Sequence, residues 1–505
     1  MTDDDAPAAG SDERAAGRDG WASGGDRRAA GAHVAVIGGG VAGIAAALDC
    51  ARAGVRVTLL EVRPRLGGAA YSFEREGLTM DNGQHVFLRC CVAYRELLAQ
   101  IGGEHGVSVQ ARLEIPVLSP GRPVAVLRRS NLPAPLHLAG ALARYPYLSW
   151  RERLGAARAA LALGRLSADA PELDRRTLGS WLAARGQGPE AVAALWDLIA
   201  LPTLNLPAAE ASLALGVFVF RTGLLEKGDA GDIGFHRRPL GEIVGAPAER
   251  ALRAAGVDVR LGFRVRELRR NGARFEVLGG YGGAGADGQS DAGESDAGAD
   301  EPKPGDGRSD APAGAVDEDD LSVDAAIVAL PHARAAKLLA PLDPQTASAA
   351  GALRNAPIVN LHMLYDREVC DLPFAAGVGT PVQYVFDRSE AGGAGPGRQY
   401  LAISLSGAEQ EMQMDVEALR ERYVPALAEL FPRARQAKLE LFVATREHAA
   451  TFRAQPGSAA LRGGPRTAVP RLALAGAWTA TGGPATLEGA TLSGHAAAQA
   501  ILGEL

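Results

Sequence analysis

Residues His33–Glu61 read HVAVIGGGVAGIAAALDCARAGVRVTLLE. His33 to Ile37 is an apolar run of the kind required by a strand covered on both faces. Gly38-x-Gly40-x-x-Gly43 comes next and opens an alanine-rich helix. Gly38 permits the sharp turn, Gly40 lets a pyrophosphate approach the backbone, and Gly43 lets helix and strand pack closely. The N–H groups at Val41 and Ala42 start the helix and face that negative charge. Glu61 closes the second strand, where a carboxylate accepts hydrogen bonds from ribose hydroxyls. Strand, glycine turn, helix, strand and acid together predict a dinucleotide site, and most dinucleotides serve redox chemistry.

The residues just beyond Glu61 narrow the choice of cofactor. Val62-Arg63-Pro64-Arg65-Leu66-Gly67-Gly68 carries a second glycine pair that lets the chain fold back over the pyrophosphate. This continuation resembles the FAD-binding amine oxidase and phytoene desaturase superfamily. The resemblance implies an α/β fold: a Rossmann-like FAD-binding domain of the amine oxidase type with an inserted mixed α+β substrate domain. It also implies FAD as cofactor, held by Gly38, Gly40, Val41, Ala42, Gly43, Glu61, Arg63, Gly67 and Gly68. Those families carry Arg after the paired glycines. Ala69 and Ala70 stand there in this chain, so that contact is missing or supplied elsewhere.

Length and composition agree with such a protein. A chain of 505 residues is too long for one small core. Hydrophobic content of 47% with 22% charged residues is ordinary for a globular protein. The cysteines Cys50, Cys90, Cys91 and Cys370 have no metal-type spacing, and no metal site is expected. The adjacent pair is a poor disulfide, which predicts a reducing cytoplasm. No run of about 18 apolar residues suggests a spanning helix. The net charge of −6 hides a division: residues 286–320 carry −10 and residues 1–32 carry −3, leaving about +7 on the remainder. Such a body could rest at the inner face of the plasma membrane. No basic run with interleaved aromatics points to nucleic acid.

The organisation is set by pattern and composition. Residues 1–32 read as a disordered tail and 279–320, acidic and low in complexity, as a disordered hairpin tip between the strands Ala273–Leu278 and Leu321–Leu330. The dinucleotide domain is predicted in three pieces, 33–103, 236–341 and 465–505, and the substrate domain in two, 104–235 and 342–464. Residues 132–166 carry Leu, Tyr and Trp with several arginines. They fit either an amphipathic membrane contact or a core helix pair with surface arginines. In the superfamily, backbone at the position of Val265 touches the adenine.

The closing segment, RLALAGAWTATGGPATLEGATLSGHAAAQAILGEL from Arg471, repeats the strand, glycine turn and helix theme. Its helix start is suited to the flavin pyrimidine edge or the phosphates, so Gly476, Trp478, Glu488, Gly489 and Ala490 are further FAD candidates. Three patches, DNGQHVFL from Asp81, LPTLNL from Leu201 and WTATGGPATLEGA from Trp478, resemble the hydroxysqualene dehydroxylases of bacterial squalene and hopanoid biosynthesis. That family has Asp or Glu after the glycine at Gly476, whereas Ala477 stands here.

The resemblance implies that hydroxysqualene, a long-chain isoprenoid, loses its hydroxyl and gains a hydride to give squalene. Hydroxide is a poor leaving group, so an acid should protonate it, and the cavity should be apolar and dry. His85 is the candidate acid, with an ordinary pKa near 6.5, although a histidine bonded within a strand turn fits the same residue. Asp81 is read as orienting it or binding the flavin side, and Asn205 and Thr203 as holding the hydroxyl. Rival readings are a carotenoid-type desaturase, an amine or protoporphyrinogen oxidase, and a non-catalytic flavin-binding scaffold for prenyl synthases. An association with prenyl synthases fits the enzyme readings as well.

Overall fold

The structure, a computed structural model, describes residues 31–281 and 320–505. The expected N-terminal tail up to residue 30 and the acidic insert between 282 and 319 lie outside the described residues.

β1 (His33–Ile37), α1 (Val41–Arg52) and β2 (Arg56–Glu61) form the predicted unit. β1 is buried along its whole length because it lies in the middle of a five-stranded parallel sheet. The order is Asp258–Leu261, β2, β1, Ala325–Val328, Leu472–Leu474. Three distant stretches of chain therefore feed one sheet. α1 packs against the C-terminal helix Leu487–Leu502. They cross at Gly494, where a Cβ would lie 2.2 Å from the Ala42 carbonyl oxygen.

The single strand expected over Leu321–Leu330 is two strands. Leu321–Val323 pairs antiparallel with Arg274–Tyr281, while Ala325–Val328 runs parallel to β1. Asp324 makes the switch: its N–H donates to the His33 carbonyl and its carboxylate accepts the His33 N–H, both at 2.8 Å.

A second, seven-stranded sheet has the order Leu439–Phe452, Asn355–Tyr365, Gln399–Ser406, Tyr384–Asp387, Phe374–Gly377, Glu114–Leu118, Ala125–Arg128. All its pairings are antiparallel except that of Phe374–Gly377 with Glu114–Leu118. Helices between Ala139 and Phe220 pack beside it and share a core with strands of the five-stranded sheet, from Ala35 to Leu474. No helix among the described residues is long and apolar enough to cross a membrane.

Candidate active site

The glycine turn has the geometry its spacing demands. Gly38 has φ +113°, and a Cβ there would strike the Ala329 carbonyl at 2.4 Å. A Cβ on Gly43 would lie 1.9 Å from the Gly38 carbonyl oxygen. Gly40 is different: a Cβ there would meet only the Gly68 Cα, at 3.8 Å. The protein itself leaves room at this position, as an approaching ligand requires. No side chain caps α1 and no acid stands in its first turn. The N–H groups of Val41 and Ala42 are buried and have no partner among the described residues. Unpaired buried donors at a helix start suit a phosphate.

Glu61 braces this turn. Its carboxylate accepts the Gly39 N–H at 2.6 Å and the Arg63 N–H at 2.8 Å. The Arg63 carbonyl accepts the Gly262 N–H, which draws the strand Phe263–Asn271 with Val265 to the end of β2. The second glycine pair folds back as expected: the Gly67 N–H donates to Gly39, and Gly68 packs on Gly40. Arg65 donates to the Gly68 carbonyl, and its guanidinium lies 3.7 Å from the centre of the Tyr71 ring. Burial, then the neighbouring Arg63, lowers its pKa to about 10. Arg63 and Arg65 thus bring cations to the loop where Ala69 and Ala70 bring none.

From Ala69 the chain runs onto the seven-stranded sheet, and Asn82 is where the two halves join. Its side-chain N–H groups donate to the Ala69 carbonyl at 2.9 Å and to Glu447 at 3.0 Å, and its side-chain oxygen accepts the Tyr71 N–H. The Asn82 carbonyl accepts from Asn360 and from Thr445. Asn360 pairs with Thr445 across the Asn355–Tyr365 and Leu439–Phe452 strands. Side chains two residues apart share a face of a strand, so Thr445 and Glu447 form a polar row beside Asn360 under the segment Asn82–His85.

Glu447 is half-buried. Burial raises the pKa of its carboxyl, and Asn82, Arg63, Tyr71 and Arg65 oppose the rise only in part. The Asn360 Oδ1 and the Gln84 Nε2 are buried with no hydrogen-bond partner. Buried polar atoms are seldom left unpaired, so an acceptor and a donor await something else. Free donors at α1, an open Gly40 and unpaired amide groups on and beside the segment Asn82–His85 all fit a flavin dinucleotide bound over this turn.

Several predicted site residues are employed otherwise. The Asp81 carboxylate accepts from Ser72 Oγ, Leu240 N–H and Arg388, so it anchors a strand end and does not orient His85. Asn205, at φ +52°, closes a helix: its amide donates to Ala356 and Thr451 and accepts the Gly407 N–H. The Thr203 hydroxyl donates back to the Ile199 carbonyl of its own helix. Both side chains thus spend their donors on the fold, which leaves only oxygen acceptor capacity at either residue. The His85 ring makes no hydrogen bond among the described residues. Burial lowers its pKa, with Asp81 opposing and Arg388 adding to the effect.

The closing segment is also largely occupied. The Gly476 N–H donates to Ser493 Oγ, and the Trp478 indole donates to the Leu330 carbonyl. The Glu488 carboxylate caps another helix, accepting Ala93 N–H at 3.1 Å and Tyr94 N–H at 2.7 Å. The Gly489 N–H goes to Thr486 Oγ1 and the Ala490 N–H to the Thr486 carbonyl. The donors left at this helix start are the N–H groups of Leu487 and Glu488. Sequence reasoning missed Asn82, Asn360, Thr445 and Glu447, and also Arg462. Arg462 is buried and donates to the Trp478 and Thr479 carbonyls, shaping the W-T-A-T loop. The available signal was polar residues at alternate positions inside otherwise apolar strands, as in VNLHMLY from Val359.

Comparison with known proteins identifies the family and the fold. The flavin containing amine oxidoreductase family matches residues 41–502. A hydroxysqualene dehydroxylase of Rhodopseudomonas palustris is 30% identical over 92% of this chain and 96% of its own length. One from Sinorhizobium fredii is 28% identical over 92% and 97%. A zeta-carotene desaturase of Zea mays is 28% identical over 31% of this chain and 30% of its own. The cyclohexylamine oxidase structure from Brevibacterium oxydans superimposes with a TM-score of 0.66 at 17% identity, covering 94% of this chain and 99% of that one. The chain belongs to the flavin containing amine oxidoreductase family, with hydroxysqualene dehydroxylases among its relatives, and is a flavin-dependent oxidoreductase.

Proposed function

We propose that the chain binds FAD and reductively removes the hydroxyl of hydroxysqualene to give squalene. The full-length similarity to hydroxysqualene dehydroxylases supports the substrate. The observation that carries the chemistry is Glu447, a half-buried carboxyl with raised pKa beside the loop that covers the dinucleotide turn.

In this reading Val41, Ala42 and Gly40 receive the pyrophosphate, Glu61 the ribose, and Arg63 and Arg65 supply the positive charge absent at Ala69. Bound and reduced, the flavin is the source of the hydride. Glu447 delivers a proton to the departing oxygen, the C–O bond breaks, water leaves, and the carbon accepts the hydride. Asn360 Oδ1 accepts a hydrogen bond from the substrate hydroxyl and so positions the C–O bond. Burial keeps the Glu447 carboxyl protonated to higher pH than an ordinary carboxyl, and makes the His85 ring give up its proton at lower pH than an ordinary imidazole. Glu447 is therefore the better donor, and His85 the rival.

The test is anaerobic incubation of the reduced, FAD-loaded protein with hydroxysqualene and mass analysis of the lipid. Squalene with reoxidised flavin is expected. Unchanged hydroxysqualene, together with an isoprenoid product two hydrogens lighter when the oxidised enzyme meets a more saturated chain, would establish the desaturase reading that the partial similarity to zeta-carotene desaturase keeps open.

A further inference from the structure

The helix Trp150–Leu163 begins at a capping box, Ser149 with Glu152, and buries Ala156, Ala159 and Leu163. At roughly 100° per residue those three lie on one side. Trp150, Leu154 and Leu161 lie on the other, within about 40° of one another, and all are exposed, Trp150 at 67%. Surface helices normally place charge there. Here the charge flanks the row instead: Arg151 and Arg158 are exposed beside it, and the Arg151 guanidinium lies 5.3 Å from the Trp150 ring centre.

The apolar surface continues beyond the helix. The helix packs on Ala139–Arg144, which packs on the turn Leu136–Leu138 and the edge strand Ala125–Arg128. Val124, Val126, Leu132 and Leu136 are exposed along this path. Seven of the thirteen exposed large apolar side chains of the described residues thus come from 124–161, which makes this a patch and not scatter. The segment Arg122–Arg165 holds eight arginines and one carboxylate, Glu152. That is the whole positive excess of the body outside the tail and the insert. Arg128 and Arg129 are paired with Glu114 and Asp232. Arg144, Arg151, Arg158 and Arg165 are exposed and have no acidic partner among the described residues.

We propose that this face docks the protein on an anionic lipid surface, with Trp150, Leu154 and Leu161 among the acyl chains and the four unpaired arginines on headgroup phosphates. A second copy meeting this face with its own would set arginine against arginine, because the segment Arg122–Arg165 holds one carboxylate, Glu152, already held by its own helix cap. The purpose of docking rests on the proposed function, since an apolar isoprenoid is delivered from a bilayer. The docking itself does not.

The experiment sediments full-length, flavin-loaded protein with vesicles of phosphatidylcholine alone or with about one third phosphatidylglycerol. Binding to the anionic vesicles and release at high salt are expected. Replacing the four arginines by Gln should weaken binding at least about a hundredfold, and Trp150→Ser with Leu154→Ser should abolish it. Retained flavin absorbance shows that each variant is folded. Absence of binding, equal binding to both vesicle types, insensitivity to both variants, or a self-association that these variants abolish would each overturn the proposal. Turnover of hydroxysqualene in detergent is read separately and should be unchanged in the variants, so vesicle binding stands or falls whether or not the dehydroxylase activity is found.

Discussion

The Glu447 carboxylate accepts the Asn82 side-chain N–H at 3.0 Å, and the same Asn82 amide donates to the Ala69 carbonyl at 2.9 Å. One side chain thus ties a carboxyl on the seven-stranded sheet to the loop folded over the glycine turn.

Glu447→Gln should retain FAD and lose turnover by about 10²-fold or more, the usual contribution of a positioned acid. Because the carboxyl pKa is raised in the folded protein, the proton is present below that value and lost above it, so wild-type activity should fall as pH rises through it. Pre-steady-state flavin reoxidation across pH measures both. His85→Ala, run in parallel, should keep most of the activity. Loss of turnover in His85→Ala with full activity in Glu447→Gln would reverse the assignment.

Asn82→Ala strands the Ala69 carbonyl and removes a hydrogen bond from Glu447. Each hydrogen bond lost at these partly exposed groups costs about 0.5–1.5 kcal/mol. Thermal unfolding should show a clear loss of stability, and flavin affinity should drop with it.

Gly40→Ala and Gly43→Ala should part company. The first finds room in the protein, with Gly68 Cα at 3.8 Å, so the fold should survive while FAD binding weakens tenfold or more. The second collides with the Gly38 carbonyl at 1.9 Å. Overpacking of this kind costs about 1–3 kcal/mol or more, and melting of the apoprotein should reveal it. Equal effects of the two on apoprotein melting would contradict the cradle reading.

Acid should destabilise the protein between pH 6.5 and 3. Burial lowers the pKa of His33 to about 4 and of His236 and His362 to about 3, from 6.5. His236 shows why. Its Nδ1–H donates to the His85 carbonyl and its Nε2 accepts the Tyr94 hydroxyl, so the neutral ring is satisfied. Below pH 6.5 the unfolded chain binds protons that the folded one refuses. Stability is therefore complete above 6.5 and declines as pH falls, by up to about 1.4 kcal/mol per unit for each ring. Denaturant titrations at pH 7 and 5 should show the slope, and His362→Gln should flatten it.

The strand, turn, helix, strand and acid from His33 to Glu61 were determined by sequence alone. So was the returning glycine pair Gly67-Gly68, because the steric demands of glycine and the periodicity of buried strands act between near neighbours. The family resemblance then implied the two-domain architecture. Sequence could not determine which polar side chains remain available for chemistry. Asp81, Asn205 and Glu488 have the right types in suggestive motifs, yet each is committed to backbone or side-chain partners that only the fold brings near. Glu447 and Asn360 lie hundreds of residues from the turn and carry no motif. They join it through Asn82, across the register of two antiparallel strands. A polar group acts or anchors according to whether its hydrogen-bonding capacity is already filled, and tertiary packing decides that.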